Sequence, residues 1–222
     1  MLLMNLGKNK LELLSGDASF RKFYRKNKSI IVFCKKNKKN NLLIYDAINK
    51  ILINNKIKAP KLIKQNYRQN FIEIEDLGDN QYLRVIKKNK NKIKYYKKII
   101  LLLNKIQKIK NKKIKTFLNS SYDIPYYTKN MLFNESNLFL EWYLPKVLAR
   151  KNKAKVKKKL SKIFKKLLKK LKNKNNTFVH RDFHVSNLMK YNNKGIAVID
   201  SQDAVYGNSA YDLASLIDDV RI

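Results

Sequence analysis

Apolar positions along the chain fall into strand-like and helix-like patterns. The run from Ser29 to Cys34 is rich in β-branched and apolar residues and predicts a buried strand, with Phe20 to Tyr24 as its hairpin partner. Between Asn70 and Asp76 the order Phe71, Ile72, Glu73, Ile74, Glu75 alternates, which predicts a half-buried strand running into the turn Leu77-Gly78-Asp79. Three stretches repeat at helical spacing. Leu42 to Ile53 carries Leu42, Leu43, Ala47, Ile48, Ile51 and Leu52, and Ala59-Pro60 closes the segment that follows. Lys92 to Ile109 carries Ile93, Tyr96, Ile99, Ile100, Leu103 and Ile106. Ala154 to Leu171 gathers Val156, Leu160, Ile163, Phe164, Leu167, Leu168 and Leu171 on one face, with lysines on the others. Alone, this last stretch fits a membrane-surface or partner-binding helix. Its place just before the loop described below predicts instead a core helix that supports that loop. Leu188 to Tyr191 and Ile196 to Ile199 flank Asn192-Asn193-Lys194-Gly195 and predict a late hairpin. With no internal repeat and no proline- or glycine-rich linker, the order of elements predicts a two-lobed α+β plan.

Composition adds limits. With 222 residues and 44% hydrophobic content, the chain can bury one sizeable core or two small ones and is not disordered. The net charge of +35, from 51 Lys+Arg against 16 Asp+Glu, raises nucleic acid as a partner. The excess is nearly all lysine, spread over the whole length among asparagine and isoleucine, as A+T-rich coding bias produces. It lacks the clustered arginine and aromatic residues of a specific reader, so no specific nucleic-acid partner is expected, only non-specific polyanion binding at low salt. Cys34 is the single cysteine, which excludes an intramolecular disulfide framework and a cysteine zinc cluster and fits a reducing cytosol. Met1 to Leu6 is too short for an export signal, and the longest apolar run, Ile99 to Leu103, is far short of a membrane span. A cytoplasmic monomer without membrane attachment is the expectation.

The chemistry concentrates in Phe178-Val179-His180-Arg181-Asp182-Phe183-His184-Val185-Ser186-Asn187, followed by Gly195-Ile196-Ala197-Val198-Ile199-Asp200. The spacing is that of a kinase catalytic loop: H-R-D, four residues, N, then an aspartate at the end of the next strand. Phosphoryl transfer needs a carboxylate facing the acceptor hydroxyl and hard oxygens that hold magnesium on the phosphates. A loop with Asp182 and Asn187 at its ends, and a hairpin returning Asp200, brings three such side chains together. His180 and His184 have no companions at metal-ligand spacing and are read as hydrogen-bonding residues of the loop, not zinc ligands.

This loop, with Ile199-Asp200-Ser201-Gln202-Asp203-Ala204, Gly207 and Asp212-Leu213-Ala214-Ser215-Leu216, resembles the aminoglycoside phosphotransferase family. Gly16 to Arg25 (Gly-Asp-Ala-Ser-Phe-Arg-Lys-Phe-Tyr-Arg), Glu75-Asp76-Leu77-Gly78-Asp79 and Leu140-Glu141-Trp142-Tyr143-Leu144 look like one branch of it, the bacterial anomeric kinases of N-acetylmuramate and N-acetylglucosamine. The resemblance implies a protein-kinase-like fold, with a small β-rich nucleotide lobe over residues 1–78 and a larger helical lobe over 79–222 that stops short of the family's last helices. It implies ATP and Mg2+ as cofactors, Asp182 as catalytic base, and Asn187 and Asp200 as metal ligands. Ser15, Gly16, Asp17, Ala18, Ser19 and Phe20 would form the phosphate-covering turn, and Glu73, Ile74 and Glu75 the hinge that meets adenine. Glu141 and Trp142 would line an amino-sugar pocket, although Trp142 fits core packing equally well.

Two departures stand out. Gly16 is the sole glycine of the phosphate turn, and no strand lysine is placed to pair the phosphates. Lys35 follows the strand but sits in a lysine-asparagine run, and Arg21 and Arg25 are rival cations. The same fold would serve another acceptor, such as choline or homoserine, and the charge and shortness also fit a non-catalytic nucleotide- or polyanion-binding remnant. A protein kinase is disfavoured, since neither D-F-G nor A-P-E follows the loop.

Overall fold

The computed structural model describes residues 11–14, 21–148, 150–171, 174–192 and 195–222. A five-stranded antiparallel sheet comes first, built from β1 (Glu12–Leu14), β2 (Arg21–Lys26), β3 (Ser29–Cys34), β4 (Leu62–Asn66) and β5 (Phe71–Glu75) in the order β1-β2-β3-β5-β4. The predicted hairpin closes through Asn27-Lys28, where Asn27 adopts a left-handed φ of 54° that asparagine tolerates better than most residues. Helix α1 (Asn40–Asn54) lies on the sheet, and Leu42 and Tyr45 pack with Ile30, Val32, Cys34, Ile72 and Ile74 in a small core. Burial pushes the Cys34 thiol up to about 11, as befits an inert packing residue.

The other side of α1 joins a second, larger core. Ile48, Ile51 and Leu52 meet Ile86 of α2 (Tyr82–Lys88), then Ile99, Leu103 and Ile106 of α3 (Lys92–Gln107), with Phe178, Phe183, Val185, Leu188, Val198 and Tyr206. One apolar cluster therefore joins residues from before and after position 78. The remaining elements are β6 (Lys113–Lys115), β7 (Ser121–Asp123), α4 (Lys129–Leu138), a π-helical turn at Phe139–Tyr143, α5 (Leu144–Val147), α6 (Arg150–Lys170), β8 (Thr177–Val179), β9 (Leu188–Tyr191), β10 (Gly195–Val198), β11 (Val205–Gly207) and α7 (Ala210–Ile217). The late hairpin is β9 and β10, paired from Leu188↔Val198 to Tyr191↔Gly195. No helix among the described residues is long and apolar enough to cross a membrane.

One expectation is overturned. Helix α6 forms where its periodicity predicts, but none of its described side chains is buried, and Ile163, Leu167 and Leu171 are exposed. It lies against α4 at the margin, while α3 packs beside β8, the strand that leads into the loop from His180 to Asn187. The reason is that an apolar stripe fixes which face of a helix is amphipathic, not what covers it. Ile99→Ala should therefore destabilise the fold by roughly 2–5 kcal/mol, the usual cost of deleting a fully buried aliphatic side chain. Chemical denaturation should show that loss, with a much smaller one for Leu167→Ala.

Candidate active site

The catalytic loop is held from below by α7. Asp212, with no exposed surface, accepts the backbone N–H of His180 at 2.7 Å and of Arg181 at 3.0 Å. Arg181 takes a left-handed φ of 73°, a conformation a side chain resists unless its surroundings impose it. His180 is buried and serves the loop rather than a metal. Its Nε2 donates to the Ile199 carbonyl at 3.1 Å and its Nδ1 accepts the Asp182 N–H at 3.3 Å, which fixes the neutral tautomer. Burial lowers its pKa accordingly.

Asp182 and Asn187 face each other across this loop. Asn187 Nδ2 donates to Asp182 Oδ2 at 2.7 Å and to the Asp182 carbonyl at 3.0 Å. His184 Nε2 lies 2.9 Å from Asp182 Oδ1, and Arg221 Nη1 donates to a His184 ring nitrogen at 3.1 Å. The His184 contact, foremost, holds the Asp182 carboxyl below the usual carboxylate range against the opposing effect of burial. Its side chain remains 49% exposed. Asp200 sits beside them because the Ile199 N–H donates to the Asn187 carbonyl at 3.0 Å, and Asp200 adopts a left-handed φ of 60°.

With the amide nitrogen of Asn187 engaged by Asp182, its side-chain oxygen is the atom left to meet a cation, and Asp200 adds a carboxylate. Among the described residues there is no group of three or more His, Cys, Asp or Glu able to cage a metal. Two hard oxygens, with phosphate and water completing the shell, suit Mg2+.

From the N-terminal sheet, Arg21 reaches this site. Its Nη2 lies 3.2 Å from Asp200 Oδ1 and its Nη1 donates to Asn41 Oδ1 at 2.9 Å. Arg25, on the same strand, is bound by Asp76 at 2.6 Å and by Asp79 at 2.9 Å. Lys35 is exposed and leads into a short 3-10 turn over Lys36–Lys38. Residues Ser15 to Phe20 lie outside the described residues. Glu73, Ile74 and Glu75 lie within β5, which pairs with β3 on one edge and β4 on the other. Their backbone is thus largely committed to the sheet, and the first backbone groups beyond it belong to Asp76 and its successors. The Glu73 side chain accepts from Ser29, and Glu75 pairs with Lys58 at 2.5 and 2.6 Å.

Helix α4 is tied to the loop through Glu135, which accepts from Arg181, from Tyr127 and, at 3.3 Å, from Tyr211. Beyond it, Glu141 and Trp142 occupy the π-helical turn. Trp142 is 70% exposed, which removes core packing as its role. Glu141 lines a cavity of about 370 Å3 with Leu140, Leu144, Pro145, Lys153, Ala154 and Lys157, a set that contains neither Asp182 nor Asp200. Sequence reasoning named Asp212 without a role and passed over Glu135 and Arg221. Asp212 could have been found as a helix-borne acid downstream of the loop, whereas the other two carry no local signal.

An N-acetylmuramate/N-acetylglucosamine kinase of Neisseria meningitidis is 26% identical over 96% of this chain and 62% of its own length. The enzyme of the same name from Pseudomonas putida is 28% identical over 96% of this chain and 60% of its own. The chain thus spans about three-fifths of the length of the curated relatives it matches. Among solved structures, a gentamicin complex of aminoglycoside phosphotransferase APH(2'')-IIa superposes with a TM-score of 0.65 at 18% identity, over 96% of this chain and 71% of that one. A choline kinase from Streptococcus pneumoniae superposes with a TM-score of 0.60 at 15% identity, over 94% and 68%. The fold is therefore protein-kinase-like, with a sheet-rich N-terminal region and a mainly helical C-terminal part. Residues 10–222 match the family model described as "Phosphotransferase enzyme family", and the chain belongs to that family.

Proposed function

We propose that the chain carries an ATP-dependent phosphotransferase activity toward a small-molecule hydroxyl, the anomeric hydroxyl of N-acetylmuramate or N-acetylglucosamine, in the cytosol. The observation that carries this reading is the direct contact of Asn187 with Asp182 and the backbone bond that ties Ile199, and so Asp200, to Asn187, in a chain over 96% of which a relative named N-acetylmuramate/N-acetylglucosamine kinase aligns. Residues 1–78 would form the nucleotide lobe and residues 79–222 the acceptor and catalytic lobe. Adenine would lie near the end of β5, with the turn at Ser15 to Phe20 over the phosphates.

Asp182, kept ionised by His184, orients the acceptor hydroxyl and takes its proton as the hydroxyl oxygen bonds to the γ-phosphorus and the bond to the ADP oxygen breaks. Asn187 and Asp200 would hold magnesium, which when bound neutralises charge on the phosphates. An anomeric hydroxyl is more acidic than an ordinary alcohol, so a carboxylate of low pKa suffices if the proton leaves late. Glu141 and Trp142 would offer a carboxylate and an aromatic face to a pyranose. Glu141 lies six residues beyond Glu135, about 9 Å along a helix that Glu135 anchors to the catalytic loop.

Asp182→Asn should keep ATP binding and lose about 10²- to 10⁴-fold in kcat. Turnover equal to wild type would remove Asp182 from the chemistry. Because its pKa is depressed, the base is active above that pKa and is lost as pH falls through it. The plateau of kcat/KM should therefore extend to lower pH than an unshifted carboxylate would allow, and His184→Ala should move the acid limb upward.

Asp200→Ala should abolish the magnesium dependence of ATP binding while the thermal melt stays cooperative. Nucleotide affinity that still rises with magnesium would reject the assignment of the metal site.

The product formed from either sugar should lose its reducing end and release phosphate in mild acid, as a glycosyl phosphate does. An acid-stable, still-reducing product, or turnover of choline with neither sugar accepted, would reject the acceptor while leaving the phosphotransferase intact.

A further inference from the structure

Any polyphosphate bound at this site must meet a cation from the N-terminal sheet, and the sequence leaves three candidates. The structure separates them. Lys35 is exposed at the mouth of a 3-10 turn in a lysine-asparagine run. Arg25 is committed to Asp76 and Asp79, joining β2 to the segment after β5. Arg21 has a side chain only 6% exposed, aimed at the carboxylate of Asp200. Arg21 and Arg25 lie four residues apart on one face of β2, about 13 Å along an extended strand. One meets Asp200 and the other the segment after β5.

We infer that Arg21, from β2, is the cation that pairs the phosphates of the nucleotide in this chain, in place of a lysine. The inference rests on the phosphotransferase reading above. A guanidinium presents a planar fork that fits carboxylate and phosphate oxygens alike. The arm that here meets Asp200 Oδ1 at 3.2 Å is therefore shaped to take a phosphate oxygen when Asp200 turns to the metal, while Asn41 holds the other arm at 2.9 Å. Asn41 lies in the first turn of α1, so the fork is fixed by both the sheet and the helix and its orientation does not have to be established on binding. The flexible, strongly hydrated ammonium of Lys35 has no such constraint among the described residues.

The test is direct binding of ATP, ADP and adenosine, in excess magnesium, to wild type, Arg21→Met and Lys35→Met. Arg21→Met should weaken ATP and ADP by about 10- to 100-fold, as loss of a charge-assisted hydrogen bond does, and leave adenosine unchanged. Lys35→Met should bind ATP as wild type does. Equal ATP affinity in Arg21→Met and wild type, an equal loss for adenosine, or a loss carried by Lys35→Met instead would overturn the inference. Should Arg21→Met fail to melt cooperatively, Arg21→Lys replaces it. That variant keeps a charge without the fork, and ATP should weaken several-fold against unchanged adenosine, with equal affinities overturning the inference. A wild type that binds no nucleotide at all rejects the phosphotransferase reading itself, before any variant is compared.

Discussion

The site depends on one buried carboxylate. Asp212 has no exposed surface and accepts two successive backbone N–H groups at the start of the catalytic loop. Burial alone pushes its pKa up, while these donors and the nearby His180 oppose that effect. Removing it would leave two buried donors unsatisfied, at about 1–3 kcal/mol each. Order then passes outward along short links. Arg181 is held in its left-handed conformation, and His180, neutral and locked in one tautomer, connects the Asp182 backbone to the Ile199 carbonyl. Two strained residues, Arg181 and Asp200, thus bracket a loop whose shape is imposed by helix α7 and the β9–β10 hairpin rather than by local preference.

Scarcity of acids makes their positions informative. Against 51 basic residues there are 16 acidic ones, so a carboxylate that is partly buried and paired has been placed at the expense of many possible surface partners. Glu75 meets Lys58, whose own carbonyl accepts the Val198 N–H at 2.8 Å, so Lys58 joins the N-terminal sheet to the β9–β10 hairpin. Asp76 and Asp79 hold Arg25, Glu135 holds Arg181, and Asp200 meets Arg21. Neutral links run in parallel: the Ser201 hydroxyl donates to Asn49 Oδ1 at 2.9 Å, and the Asn49 amide donates to the Pro60 carbonyl at 3.1 Å. Most of these contacts fall at joints between elements, where a pair shielded from solvent keeps more of its Coulomb energy than an exposed one.

What could be read from sequence follows from range. The contact between Asp182 and Asn187 was legible because both lie within the eight residues from His180 to Asn187, and the β9–β10 hairpin returns the chain to this loop by local pairing. The strands at 29–34 and 71–75 and the helices at 40–54 and 92–107 were legible from periodicity. Arg21 stood in the sequence only as a rival to Lys35 and Arg25, because its partner is 179 residues away and nothing near it on the chain indicates the pairing. Lys35 drew attention only because it follows a strand. Helix α6 was placed correctly along the chain and wrongly in space, since amphipathicity does not name a partner. Trp142 could not be divided between core and surface until its neighbours were known.

The large positive charge and the small set of fixed cations act on different quantities. Solvated lysines spread over the chain raise the local concentration of any polyanion and speed its arrival, and they lose that influence beyond a Debye length of about 8 Å at physiological salt. Arg21 is nearly enclosed and held by Asp200 and Asn41 among its contacts, so salt screens it far less. The surface can therefore collect anions of many kinds without selecting among them. Selection falls to the few charges whose direction is set by the fold, among them Asp182, held by His184 and Asn187, and Asp200, paired with Arg21. A net charge of +35 is in this sense compatible with a specific small-molecule site, because specificity depends on how a charge is held and not on how many surround it.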